Sequence, residues 1–380
     1  MIAVLFPHFD HAAIEERYAS WQARTRFRDG GIDVVAYAPD DRACDVAGEI
    51  EATYAVVVTD PLLLPSRNLA RRLVAALQGS VEAVVPVMNL PIHPAQQQTV
   101  RPYVTLRELE AATTELEARE PDVQRLTWDG SDPFVFACRA DMLDAMETPL
   151  RRALAGKSVA VSRNDYVHRW SSMRGQVRQD LLDRVAPDAK SILEFGCGEA
   201  PLGAALKQRQ KCRVVGIEID RQAAAIAKKR IDDVYCGDAR EIVGILHETF
   251  DWIIGGDIVE HLDDPWTFLG DLRRITKPGG RLLLSLPNIA HAALVSDLLA
   301  GRFDYVYMGL TCVGHLRFFT RHSVEEMLAI AGWTVERIEP QELLPSMGGE
   351  ALIRALEDAR LPFSRDDLLA PGYYVTARNG

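Results

Sequence analysis

The sequence predicts an α/β protein in two parts: a seven-stranded, doubly wound, Rossmann-like sheet in the C-terminal half, and a second α/β domain before it. Three observations carry this expectation. Short apolar, β-branched runs alternate with helix-length stretches along most of the 380 residues, as strands and their covering helices do. A glycine-rich turn, "EFGCGEAP", joins a strand signal to a helix signal at Glu194–Pro201. Six more strand signals follow that turn, most of them separated by helical stretches. A chain of this length suits two domains of ~100–200 residues each.

From the N-terminus, "MIAVLF", "GIDVVAYA" and "YAVVVTD" read as strands of a parallel sheet, with helices such as "SRNLARRLVAALQ" between such runs. Residues 89–102 carry three prolines and read as an irregular excursion. "TLRELEAATTELEAREP" is a charge-laced helix closed by Pro121, followed by strand "DPFVFACR" and a helix around "ADMLDAM". These make a domain over 1–150. Residues 151–190 are expected as a linker and helical lead-in, stopped near Pro187. The second domain, 191–380, runs through strands "SILEFG", "RVVGIEI", "DVYCGD", "FDWIIGGD", "RLLLSLP", "WTVERIE" and "GYYVTAR". A "KPGG" turn feeds the fifth strand, and residues 341–371 form a helical detour with no pattern that assigns a role.

Composition narrows the class. Apolar residues make up 48% and charged residues 26%, and the formal charge is −11. A diffuse acidic excess offers no footprint for duplex nucleic acid, so no nucleic-acid partner is expected. Six cysteines are scattered with no CxxC pair, which suits a reduced, cytoplasmic protein. The N-terminal apolar run is short and meets Pro7 and His8 at once, so it reads as a strand rather than a signal peptide. No run approaches the ~20 apolar residues of a membrane span.

The glycine turn points to a ligand. Gly196 and Gly198 stand where the first strand becomes a helix, letting a backbone approach a bound group. A dinucleotide turn would read GxGxxG, but the next glycine is Gly203 and Pro201 opens the helix. Glu194 would repel a pyrophosphate and suits an ammonium. Glu218 ends the second strand, 20 residues after Gly198, where an acid accepts from ribose hydroxyls. Asp238 ends the third, placed to accept from an adenine amino group. An amino-acid end, a ribose and an adenine without phosphates describe S-adenosylmethionine.

With "LEFGCG", "DIVEHLDDP", "KPGG", "SLPN" and "HLRFFT" in that order, residues from about Tyr166 to Arg378 resemble the class I S-adenosylmethionine-dependent methyltransferases. The resemblance implies that Glu194, Gly196 and Gly198 hold the methionine end, Glu218 the ribose and Asp238 the adenine, with Asp257 beside the sulfonium. It also suggests that Tyr166, His168 and Arg178 close over the cofactor; an amphipathic helix face would look the same.

A hydroxyl acceptor needs its proton removed. His261 in "DIVEHL" and His315 in "GHLRFF" are the candidate catalytic bases; each could equally cap and pack. Asp257, Glu260, His261 and His315 together resemble the metal-binding set of some O-methyltransferases, so a divalent metal is an alternative device. Phe303, Tyr305 and Tyr307 would roof the pocket, and Cys197 is read as a small packing residue. The first domain resembles a degenerate A-fold glycosyltransferase. Asp60 stands where that family holds a metal and sugar nucleotide, without the paired DxD acid. The joint expectation is methyl transfer to a hydroxyl of a carbohydrate-like acceptor, a glycan or sugar nucleotide. Methylation of a small aromatic or polyketide-type metabolite, or a non-catalytic cofactor-binding scaffold, are the alternatives; an oligomer is compatible with all three.

Overall fold

The computed structural model describes residues 1–8, 13–48, 51–144, 146, 148–171 and 175–380. Residues 172–174, inside the expected lead-in, and Ala145, inside the expected "ADMLDAM" helix, lie outside the described residues. The chain divides into two compact units, Met1–Ser171 with Asp304–Met308, and Ser172–Phe303 with Gly309–Gly380.

The first unit holds β1 (Ile2–Pro7), β2 (Asp33–Tyr37), β3 (Tyr54–Val58), β4 (Leu63–Leu64), β5 (Ala83–Met88), β6 (Val123–Thr127), β7 (Val135–Arg139) and β8 (Ser158–Arg169). Their order is β2-β1-β3-β7-β5-β8-β4, with β6 paired to β8. The sheet is mixed rather than parallel, because β7 runs antiparallel to β3 and β5. Between β7 and β8 the chain forms only the helix Ala140–Asp144 and one 3-10 turn.

The expected linker and helical lead-in is corrected here. Its first part is β8, a 12-residue strand parallel to β5. The stretch is basic in sequence, and its polar Asn164 and Asp165 are both buried. Asn164 donates to the Glu120 carbonyl at 2.8 Å, while Asp165 pairs with Arg72 and accepts from Ser162 Oγ. They sit in a bulge, where the register jumps from Pro86–Ser162 to Val87–Tyr166. The described helix of the lead-in is Gln179–Leu182 alone.

In the second unit, β9 (Ser191–Phe195), β10 (Arg213–Glu218), β11 (Asp233–Cys236), β12 (Phe250–Gly256), β13 (Thr276–Pro287), β14 (Trp333–Pro340) and β15 (Gly372–Asn379) form one sheet. The order is β11-β10-β9-β12-β13-β15-β14. The first five strands are parallel, and β15 is antiparallel to both neighbours. "KPGG" lies within β13, as an irregularity that shifts its register against β12, rather than as a turn before it. Leu193, Phe195, Ile253, Leu282 and Leu284 pack the centre.

This topology fixes where ligands go. Strand order reverses between β9 and β12, so a crevice opens beyond their carboxyl ends. β14 ends and β15 begins at that same edge, because β15 is antiparallel to β13 and β14. Residues 341–371, with helices Met347–Asp358 and Arg365–Leu369, therefore also lie there.

Candidate functional site

The glycine turn is built by geometry that side chains would spoil. Gly196 and Gly198 have φ of +70° and +56°, a region that favours glycine. A Cβ on Gly196 would stand 2.4 Å from Ile258 Cδ1. Cys197 is buried, and its Sγ would stand 2.6 Å from a Cβ on Gly216, so it fills the space that glycine leaves. Burial pushes its thiol pKa up.

Glu218 organises the turn. Its Oε2 accepts from Gly198 N at 2.7 Å and its Oε1 from Asp220 N at 2.8 Å. A carboxylate offers about four acceptor sites, so two remain for a ligand. Glu194, on β9, is buried, and its Oε2 has no hydrogen-bond partner. Burial first, then the nearby Glu218 charge, raises its pKa from 4.5 to about 8. A buried acceptor left unpaired costs about 1–3 kcal/mol, a cost that a cationic ligand would remove.

Asp238 follows β11 and caps the helix Ala239–Ile245. Its Oδ2 pairs with Arg240 at 2.6 Å, and this partner holds the carboxyl below its ordinary value. Asp257 follows β12 with φ of +54°, an uncommon conformation that Asp tolerates better than most residues. Its Oδ1 accepts from Ser285 Oγ at 2.8 Å and its Oδ2 from Arg178 Nη1 at 2.5 Å. Arg178 also grips Asp180, to which Tyr374 donates at 2.7 Å. Sequence reasoning missed Ser285 as a partner of Asp257, and Asp180 and Tyr374 as the groups that hold Arg178. Ser285 lies inside the quoted "SLPN", but Tyr374 carries no local signal.

A second cluster stands beyond β12. The turn Val259–His261 is tied to the later loop because the Glu260 carbonyl accepts from Leu316 N and Arg317 N at 2.8 and 3.0 Å. This brings Glu260, His261 and His315 together, with ligand atoms within 4.8 Å of one another. The two imidazoles meet edge to face, 5.0 Å between centroids. Glu260 Oε2 and His315 Nδ1 are buried without partners. Burial, then the charge of Asp257, pushes the Glu260 carboxyl well up. Burial, then His261, lowers His315 to about 4. The orphaned Glu260 and His315 atoms, with a second imidazole beside them, form a donor set that fits a divalent cation once the carboxyl is ionised. Asp257 was expected in this set; its carboxylate is engaged by Arg178 and Ser285 instead.

Other expected site residues fall elsewhere. Tyr166 and His168 belong to β8 of the first unit, and both bond Tyr103, at 3.2 and 2.5 Å. Tyr305 and Tyr307 also belong to that unit, Tyr307 against Trp170, whereas Phe303 packs on Phe318 in the second unit. Asp60 is paired with Arg169 at 2.8 Å, so its carboxylate already has a cation.

Residues 169–338 match a family model described as a methyltransferase domain. The tRNA 5-carboxymethoxyuridine methyltransferase of Escherichia coli (strain K12) is 31% identical over 165 residues, covering 39% of this chain and 61% of that protein. The mitochondrial ubiquinone biosynthesis O-methyltransferase of Bos taurus is 26% identical over 201 residues, 43% of this chain and 54% of its own length. The chain thus spans 61% of the first relative's length. Among solved structures, an S-adenosylmethionine-dependent methyltransferase from Archaeoglobus fulgidus superposes with a TM-score of 0.38 at 18% identity, over 50% of this chain and 87% of that one.

Proposed function

With a class I S-adenosylmethionine-dependent methyltransferase domain in its C-terminal half, we propose that this chain transfers a methyl group from S-adenosylmethionine to an acceptor oxygen. The observation that carries the reading is Glu194: a buried acid with an orphaned oxygen, beside a glycine turn where a Cβ on Gly196 would collide with Ile258. Glu194, Gly196 and Gly198 hold the methionyl end, with the ammonium on Glu194 and the carboxylate toward Arg178. Glu218 holds the ribose through its free lone pairs. Asp238 meets the adenine while keeping Arg240, and Asp257, oriented by Ser285 and Arg178, faces the sulfonium.

The cofactor supplies an already activated methyl carbon. What the protein adds is position and proton removal. His261 and His315 stand as the proton-accepting pair. Their grouping with Glu260 equally supports a second reading, in which Glu260, His261 and His315 hold a divalent cation that lowers the acceptor's pKa.

The carbohydrate-like acceptor rests on the first unit's glycosyltransferase likeness, and the Asp60–Arg169 pair gives that likeness no support. A small-molecule acceptor remains favoured over RNA by the charge of −11. Free cysteines are compatible with a cytoplasmic setting.

Incubation with S-adenosylmethionine and a panel of phenols, hydroxy acids and sugars tests the proposal. Acceptor-dependent formation of S-adenosylhomocysteine, lost in Glu218→Ala, is expected. Tight cofactor binding with no turnover on any acceptor would favour a scaffold.

A further inference from the structure

A cavity of about 380 Å³ lies in the second unit, apart from the acids and histidines above. Its size falls within the range of small-molecule sites, about 300–1,000 Å³. Ala290, Phe363, Leu368 and Tyr373 give this open cavity an apolar wall, and Thr320, Arg321, His322, Glu325, Ser364 and Asp367 line the rest of it. Its roof comes from residues 341–371, the segment whose role the sequence leaves open.

Hydrogen bonds tie together the residues around it. Arg321 Nε donates to Asp367 at 3.0 Å, and Tyr373 donates to the same carboxylate at 3.1 Å. Asn288, at the end of "SLPN", donates to the carbonyls of Asp367 and Ala370 at 2.7 and 2.9 Å. This pins the roof to the carboxyl edge of the sheet, where the acceptor must arrive. Thr320 on the wall is five residues beyond His315, and Ala290 five beyond Ser285. Five residues span at most about 18 Å, so the cavity wall lies no farther than that from either residue.

Resting on the methyltransferase reading, we propose that this cavity holds the non-reacting body of the acceptor, and that this body is an aromatic ring system rather than a sugar. Of the polar lining groups, Thr320 and Ser364 cap helices and Arg321 pairs with Asp367, so a sugar's hydroxyls would meet Ala290, Leu368 and Phe363 with few partners left. A ring buries its faces against those side chains and keeps a polar edge for Arg321 or His322.

Binding of 1-naphthol to the full chain, followed by fluorescence and by NMR, tests this. One saturable site is expected. Leu368→Trp, which fills the cavity, should weaken it at least tenfold, while S-adenosylhomocysteine affinity stays within twofold and so reports an intact fold. Phe363→Ala, which removes wall instead of filling space, should also weaken 1-naphthol binding. Absence of saturable binding, or equal affinity in wild type and both variants, overturns the proposal. If 1-naphthol binds as expected but S-adenosylhomocysteine does not bind at all, the methyltransferase reading falls and ring binding stands.

Discussion

Glu194 offers the sharpest perturbation. Its pKa rises from 4.5 to about 8, which corresponds to about 5 kcal/mol of differential interaction between its two protonation states. The native carboxyl keeps its proton where the unfolded chain has lost it. This group's contribution to stability is therefore fully present below pH 4.5, falls as pH rises from 4.5 to about 8, and is flat above. Glu260, also pushed up by burial, adds a decline of the same sign. A ligand ammonium at Glu194 reverses the preference and draws the proton off. Binding of S-adenosylhomocysteine at pH 7 should then release close to one proton, and its affinity should climb up to tenfold per pH unit until about pH 8. Calorimetry in buffers of different ionisation enthalpy counts that proton. Glu194→Gln should abolish the release and weaken binding at pH 8 by about 2 kcal/mol, the worth of a charge-assisted hydrogen bond. A wild-type protein that releases no proton, or a Gln variant that still releases one, would refute the placement of the ammonium.

Three further outcomes follow from packing and donor chemistry. Gly196→Ala meets both a φ of +70° and Ile258 at 2.4 Å, so denaturant unfolding should show a loss of about 2–4 kcal/mol; Ile258→Ala in the same chain should return part of it, and an unchanged midpoint in the single variant would be inconsistent with the turn described. Asn288→Ala strips one buried and one part-buried carbonyl and one N–H of their partner, a cost on the order of 3 kcal/mol, with faster amide exchange expected in 365–372; unaltered exchange there would contradict the pinning role. If Glu260, His261 and His315 hold a cation, Mn²⁺ should raise the thermal midpoint of wild type but not of His315→Ala, and chelator should stop turnover; full activity in chelator removes the metal and leaves the histidines as bases.

Much of the second unit was legible because its signals are local. Strand periods, the Gly196–Gly198 turn and the acids in β9 and β10 and after β11 and β12 need only neighbouring residues to be recognised. The first unit was harder. β8 looked like a linker because residues 148–165 are basic, and only the partners Glu120, Arg72 and Ser162, most of them distant in sequence, make its polar Asn164 and Asp165 tolerable inside a strand. The same distance hid the site's wiring. Asp257 is separated from Arg178 by 79 residues, so no spacing rule could show that its carboxylate is taken and that Glu260 joins the histidines without it. The cavity under Phe363 and Leu368 was invisible because it exists only when 341–371 folds back over the edge of β13.

The measurement closest to the central claim is a calorimetric titration of the wild-type chain with S-adenosylhomocysteine, NAD⁺ and ATP, repeated on Glu218→Ala. One-to-one binding of S-adenosylhomocysteine, weakened by the Glu218 change and unmatched by the phosphate-bearing nucleotides, is the predicted result. Saturable binding of NAD⁺ or ATP with no heat from S-adenosylhomocysteine would contradict it.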